Sequence, residues 1–227
     1  MNSKNFKICV YLILAILILI FYTKDIDFTS DTHYKNITVI TEPDIHVVLV
    51  NKNYKLPDNY IPADLEQISI LYSNDDKYLR KDAKEAFENL SQDASVLGYK
   101  IVAVSAYRDY NYQDKLYNNY IGEKGNDYAD ICSARPGHSE HQTGLAVDVM
   151  GSNNDYDEFE NSIEFEWMKN NAHKYGFILR YPENKTKITG FKYEPWHYRY
   201  VGVEVAKTIY REKITLEEYY DKYINLN

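Results

Sequence analysis

Two short segments hold residue types able to work on a metal and a water together. The first is Ser139-Glu-His141-Gln-Thr-Gly144-Leu-Ala146-Val-Asp148, in which a histidine leads through a glycine into an apolar run carrying an aspartate. The second, well downstream, is Glu194-Pro-Trp-His197. As a strand, Leu145 to Met150 alternates, so Leu145, Val147 and Val149 share one face while Ala146 and Asp148 share the other. Asp148 then points away from the apolar face, beside an alanine small enough to leave room above the sheet. A catalytic zinc takes three ligands from His, Asp, Glu or Cys and keeps a fourth position for water. His141, Asp148 and His197 make such a set, for one zinc per chain, and Glu194 is left over to act on the water. Residues three apart on a regular strand face opposite sides, so Glu194 and His197 converge only if Pro195 marks a bulge or bend. Taken singly, each residue has a plainer reading, an aspartate capping a strand end or a histidine packed on a tryptophan. The combination is what points to a metal.

These side chains need elements to hold them. His46 to Val50 (HVVLV) reads as a buried strand. Between Lys77 and Leu97 the apolar residues Leu79, Ala83, Ala86, Phe87, Leu90, Ala94 and Leu97 recur at the spacing of one helix face, and Gly98 supplies the stop. Ile101 to Ser105 reads as a strand, Asp109 to Gly122 as a helix, and Ser133 to Gly144 as a loop feeding the strand Leu145 to Met150. A helix over Phe159 to Tyr175, strands over Phe177 to Tyr181 and Phe191 to Tyr200, and helices over Val203 to Arg211 and Leu216 to Tyr223 complete the order. Helices and strands mix without regular βαβ spacing, which predicts an α+β domain rather than a doubly wound sheet.

The 227 residues include 26 Lys+Arg against 34 Asp+Glu, a formal net charge of −8, which excludes a nucleic-acid binder acting through general basicity. Tyrosine is abundant, 24 against 8 Phe and 2 Trp, and its rings suit half-wet surfaces. Ile8 to Tyr22 is a 15-residue run without charge, preceded by Lys4 and Lys7. As a helix it spans about 22 Å, a length compatible with a signal anchor or a signal-peptide core. No small-residue cleavage site follows it. The preferred expectation is therefore an uncleaved anchor in the cell membrane, with the N-terminus cytoplasmic and the rest extracytoplasmic. Secretion after cleavage is the alternative. Residues 1–22 then form the membrane or signal segment, 23–44 a stalk or a loosely attached first strand, and 45–227 the catalytic domain. Cys9 lies in the apolar run, so it and Cys132 read as free thiols.

The pattern S-x-H-x-x-G-x-A-x-D followed by E-x-W-H is similar to that of the zinc D,D-carboxypeptidases typified by VanY, a family related in fold to the Hedgehog signalling domain. Leu49-Val-Asn-Lys52, Leu56-Pro and Tyr60-Ile-Pro62 resemble that family's N-terminal segment, and Ser105-Ala-Tyr-Arg108 with Tyr112-Gln113 resembles its substrate-binding stretch. The likeness runs from about Val47 to Tyr210. It implies a small central antiparallel sheet flanked by helices, zinc on His141, Asp148 and His197, and Glu194 as general base. It further implies hydrolysis of the bond before the C-terminal D-alanine of a peptidoglycan stem peptide, by a monomer and without a covalent intermediate. Such a reaction needs donors for the substrate carboxylate and a positive group for the oxyanion. The resemblance gives the second role to Arg108. Ser139 and Gln113 are candidates for substrate binding or for loop hydrogen bonds, and Arg135 either closes over the site or anchors its loop. His138 is read as a loop residue, and His33, His46 and His173 as structural or exposed. An L,D-carboxypeptidase or an endopeptidase would share these motifs. A non-catalytic zinc module binding wall peptides or a protein is a third reading, against which Glu194 beside an intact ligand set argues.

Overall fold

The computed structural model describes residues 34–152, 155–156 and 158–225. The apolar run Ile8 to Tyr22 lies outside them, as do Cys9 and His33. Among the described residues no helix is long and apolar enough to cross a membrane, and Cys132 is a free thiol.

Strands β1 (Thr38–Val39) and β2 (Tyr54–Lys55) pair in parallel, and β3 (Leu65–Gln67) pairs antiparallel with β4 (Tyr78–Arg80). The chain continues through α1 (Lys81–Val96), β5 (Val102–Ser105), α2 (Tyr110–Lys124) and α3 (Asn126–Cys132) to β6 (Ala146–Met150). Then come α4 (Ile163–Asn171), β7 (Phe177–Leu179), β8 (His197–Tyr200), α5 (Val203–Glu212) and α6 (Leu216–Tyr223). The central sheet has the order β5-β6-β8-β7, with every neighbour antiparallel. This is the α+β domain that the element order predicts, with the small antiparallel sheet that the family resemblance implies.

One face of the sheet makes the core. Ala83, Phe87, Leu90 and Ala94 are buried along one side of α1 and join Val147, Val149, Phe177 and Tyr198 from the strands. Phe87 meets Phe177 edge-on with ring centroids 6.1 Å apart. Truncating such a fully buried phenylalanine to alanine removes about 3–5 kcal/mol. The alternation that turns Val147 and Tyr198 into this core turns Asp148 and His197 out of it, so the same strands supply packing and chemistry.

Three expectations change. His46 to Val50 is irregular rather than a strand: its apolarity reports burial, but the His46 and Val48 carbonyls accept from the Arg199 guanidinium at 2.9 and 2.8 Å. The helix expected from Lys77 starts at Lys81, because residues 78–80 pair with β3. The helix expected over Phe159 to Tyr175 is split at Ser162, whose hydroxyl accepts the Phe165 N–H at 3.1 Å and caps α4. Residues 34–44, read as part of a stalk or of a loosely attached first strand, carry β1, which pairs with β2, and Tyr34 lies 4.0 Å beneath the Arg135 guanidinium.

Candidate metal centre and active-site cleft

Strand register places two ligands. Asp148 stands directly opposite His197 in the β6–β8 pair, where facing Cβ atoms lie about 4.5–5.5 Å apart. His141 arrives from the preceding loop, on a short 3-10 turn over Glu140–Thr143 whose N-cap Ser139 accepts the His141 N–H at 3.3 Å. Gly144 ends that turn at φ 67°, and a Cβ there would meet the Arg80 and Leu65 side chains at 2.9 Å. A left-handed corner pressed this close takes glycine. Ala146, opposite Arg199 in the register, leaves the space that the arginine fills.

The donor set fits a metal. His141 Nδ1 lies 2.7 Å from the Ala106 carbonyl, which can only accept, so the ring proton sits on Nδ1 and Nε2 carries a lone pair. That Nε2 is buried without a hydrogen-bond partner although Asp148 Oδ2 is 3.3 Å away. Two lone-pair atoms held face to face in a dry site repel unless a cation lies between them. At zinc–ligand distances of about 2.1 Å, neighbouring tetrahedral ligands sit about 3.4 Å apart, close to the observed separation. His197 Nδ1, 2.9 Å from Asp148 Oδ1, completes a set whose ligand atoms all lie within 4.8 Å of one another. Burial drives His141 down to about 4, leaving it neutral as a metal requires. Burial also pushes His197 down, but hydrogen bonds to Asp148 and Glu140 outweigh it and bring the metal-free group up to about 9.

Beneath the ligands lies a charge network absent from the sequence expectations. Glu140, 1% exposed, accepts from Arg180 Nε and Arg199 Nη1, both at 2.7 Å, and its other oxygen is 3.4 Å from His197 Nε2. Arg180 also donates to both oxygens of Glu217 on α6, at 2.9 and 2.7 Å. Burial opposes the charge on Glu140, yet the two guanidiniums hold it ionised, below the usual carboxylate range. A carboxylate on the far nitrogen of a metal-ligating histidine fixes ring orientation and tautomer. Nothing local marks Glu140 in the sequence, since its arginines lie 40 and 59 residues away.

The segment Glu194–His197 is a β-turn with Pro195 in its second position: the His197 N–H donates to the Glu194 carbonyl at 3.1 Å. This is the bend the spacing required, and only residues 197–200 of the expected strand pair in the sheet. Glu194 Oε2 lies 3.9 Å from His197 Nδ1. Burial raises its carboxyl to about 7, the range in which a general base operates at neutral pH.

Arg108 reaches the same wall from the loop after β5. Its Nη1 donates to Ser105 Oγ at 2.6 Å and lies 3.6 Å from Asp148 Oδ2, and its Nε donates to Gln113 Oε1 at 3.2 Å. Gln113 is 1% exposed and fastens the loop by donating to Ser133 Oγ and the Ala134 carbonyl, at 3.1 and 2.8 Å. Arg135 donates twice to Asp130, at 2.9 and 2.7 Å. Neither Gln113 nor Arg135 lines the cleft, so the structure places Gln113 behind Arg108 and gives Arg135 a loop-anchoring contact. His138 Nδ1 sits 2.8 Å from the Asn51 carbonyl, away from the ligands.

The cleft itself measures about 450 Å³ and is lined by Arg108, Ser139, Glu194 and the three ligands, together with Tyr112, Tyr120, Tyr128, Tyr156, Tyr181, Lys192 and Trp196. Tyr156 and Lys192 had no sequence signal beyond the general abundance of tyrosine and lysine. Burial, with Asp148 nearby, raises the Tyr156 hydroxyl well above its ordinary value, so it stays a protonated donor.

A three-ligand site beside a raised carboxylate and a positioned arginine defines a metallohydrolase. The sequence model of VanY, D-alanyl-D-alanine carboxypeptidase, matches residues 76–203, which hold every residue of that site. The chain belongs to this family and is a zinc carboxypeptidase. Putative carboxypeptidase YodJ of Bacillus subtilis (strain 168) is 40% identical over 214 residues, covering 88% of this chain and 78% of that protein. Among solved structures, the LdcB LD-carboxypeptidase is 42% identical with a TM-score of 0.78, over 83% of this chain and 91% of that one. A mutant of the vancomycin-resistance D,D-pentapeptidase VanY in complex with Zn(II) is 34% identical with a TM-score of 0.66, over 77% and 98%.

Proposed function

We propose that the chain removes the C-terminal D-alanine from peptidoglycan stem peptides. The observation that carries this reading is the placement of Glu194, a buried carboxylate raised to about 7 and 3.9 Å from a ligand nitrogen, in one cleft with Arg108. Zinc, when bound, supplies a Lewis acid that polarises the scissile carbonyl and lowers the pKa of water. Glu194 takes the proton of the attacking water and returns it to the leaving amine. Arg108, held by Ser105 and Gln113, presents its remaining N–H groups to the carbonyl oxygen as negative charge develops there. Ser139 and Lys192 stand in the cleft wall as donors for the substrate's terminal carboxylate.

Two bonds answer to this description. The sequence expectation is the D,D bond of the pentapeptide, supported by the family match. The L,D bond of the tetrapeptide is favoured by the greater likeness to LdcB than to VanY, in both identity and TM-score, and we take it as the better substrate. Pentapeptide and tetrapeptide supplied separately to the zinc-loaded chain, with released D-alanine and the residual peptide weighed by mass spectrometry, decide the matter. Faster release from the tetrapeptide supports the L,D reading, faster release from the pentapeptide returns the D,D one, and release from neither removes both. The apolar run before the domain supports an extracytoplasmic site of action. Digestion of the domain by protease added to intact protoplasts tests that placement.

A further inference from the structure

Tyr156 stands in the wall of the cleft, half-buried, with no part in the reaction derived above. Its surroundings hold it on both sides. Before it, Ser152 donates from its N–H and its hydroxyl to Glu164 Oε1, at 3.3 and 2.6 Å, and Glu164 is buried on α4. After it, the buried Phe159 donates its N–H to the Tyr156 carbonyl at 3.4 Å. The ring meets Trp196 edge-on, with centroids 5.1 Å apart, and the Trp196 carbonyl accepts the Val149 N–H at 3.0 Å. The phenol is thus aimed by the segments that supply Asp148 and His197.

The charged groups acting on its hydroxyl are the Asp148 carboxylate, which it also meets as a hydrogen-bond partner, the Arg108 guanidinium and the Glu194 carboxylate. A metal ligand, the cation for the oxyanion and the base surround the place where the scissile carbonyl must lie, and the hydroxyl faces that place. The other tyrosine packed beside a ligand, Tyr181, answers to Glu140, Arg180, Glu194 and Glu217 instead, so its hydroxyl belongs to the charge network. Arg108 already commits Nε to Gln113 and Nη1 to Ser105. An oxyanion has lone pairs for more than one donor, and preorganised donors that converge on it are what stabilise it.

We propose, on the carboxypeptidase reading of this cleft, that Tyr156 is a further catalytic residue whose hydroxyl donates to the oxyanion alongside Arg108. As the water oxygen bonds to the carbonyl carbon, the π pair moves onto the carbonyl oxygen and Glu194 takes the water's proton. The phenol holds the charged oxygen and keeps its own proton throughout. On collapse the carbonyl re-forms, the C–N bond breaks and Glu194 delivers its proton to the leaving amine. A neutral donor gains far more from an oxyanion than from an uncharged carbonyl, so its effect falls on kcat rather than on KM.

The test compares the zinc-loaded wild-type chain with Tyr156→Phe, which keeps the ring against Trp196. Both are given the stem peptide that the wild type cleaves faster and, separately, a phosphinate peptide of the same sequence, whose tetrahedral anion mimics the adduct and whose affinity is read by calorimetry. In Tyr156→Phe, kcat should fall on the order of 10²-fold with KM unchanged, phosphinate affinity should fall in parallel, and zinc affinity should hold. A rise in KM at unchanged kcat would place the hydroxyl in ground-state binding. Loss of zinc affinity along with kcat would make Tyr156 a support for Asp148. Unchanged kcat, or phosphinate affinity that holds while kcat falls, would equally overturn the proposal. A wild-type chain that cleaves neither stem peptide would instead remove the carboxypeptidase reading, and this role with it.

Discussion

Glu140 Oε2 stands 3.4 Å from His197 Nε2 while His197 Nδ1 faces Asp148 Oδ1 at 2.9 Å, so one imidazole joins the buried charge network to the metal position. Glu140→Gln keeps the shape but leaves Arg180 and Arg199 short of a counterion. Zinc affinity should fall about 10–100-fold, read by competition with a coloured chelator. Stability should fall by as much as about 3–5 kcal/mol, read by urea unfolding. An unchanged zinc affinity would show that the carboxylate does not orient the ring.

Glu194 and His141 should separate chemistry from metal binding. Glu194→Ala is expected to retain zinc at one per chain, measured by atomic absorption, and to lose about 10²–10⁴ in turnover. His141→Ala should lose both, because the ligand set drops to two. Normal release of the terminal residue by Glu194→Ala would remove it from the role of base.

Gln113 offers a test of positioning rather than contact. Its Oε1 accepts from Arg108 Nε at 3.2 Å, and it does not line the cleft. Gln113→Ala should lower kcat with little change in KM, in the same sense as Arg108→Ala but to a smaller extent. For comparison, removing an oxyanion donor itself typically costs about 10²–10³ in kcat. A rise in KM alone would place Gln113 in ground-state binding instead.

The metal-free chain should carry a stability signature of Glu194. Burial holds its carboxyl at about 7 against an ordinary 4.5, so the folded state binds that proton more tightly than the unfolded one. The stabilisation is complete below about pH 4.5 and is lost as pH rises through about 7, a change of up to about 3 kcal/mol. With zinc removed, the wild-type Tm should drop between about pH 5 and about pH 8 by more than that of Glu194→Gln. Parallel curves would mean that the carboxyl is not raised.

How much of this was legible in the sequence varies with the range of the interaction. The ligand set, the placement of Glu194 beside it and the bend at Pro195 were readable because strand alternation and a three-residue spacing are local constraints. Helix α6 spans the residues expected of it, and the structure adds a capping box of Thr215 and Glu218 at its start. His46 to Val50 misled because apolar β-branched residues report burial, and only the distant Arg199 decides that their carbonyls bond to a side chain. Glu140, Arg180 and Glu217 were invisible for the same reason. Each is an ordinary charged residue until the fold brings them together in a dry layer. Gln113 was found from its motif but left open between substrate binding and loop hydrogen bonds, because a pattern names a residue without saying which way its amide points.

The clasp of Arg180 by Glu217 also bears on how the protein is made. All three ligands have been synthesised once His197 is complete, but the guanidinium that steadies Glu140 lacks half its countercharge until Glu217 follows, twenty residues later. At ordinary elongation rates that interval is on the order of seconds. A chain ending short of α6 would keep every ligand and lose the Glu217 carboxylate that clasps Arg180.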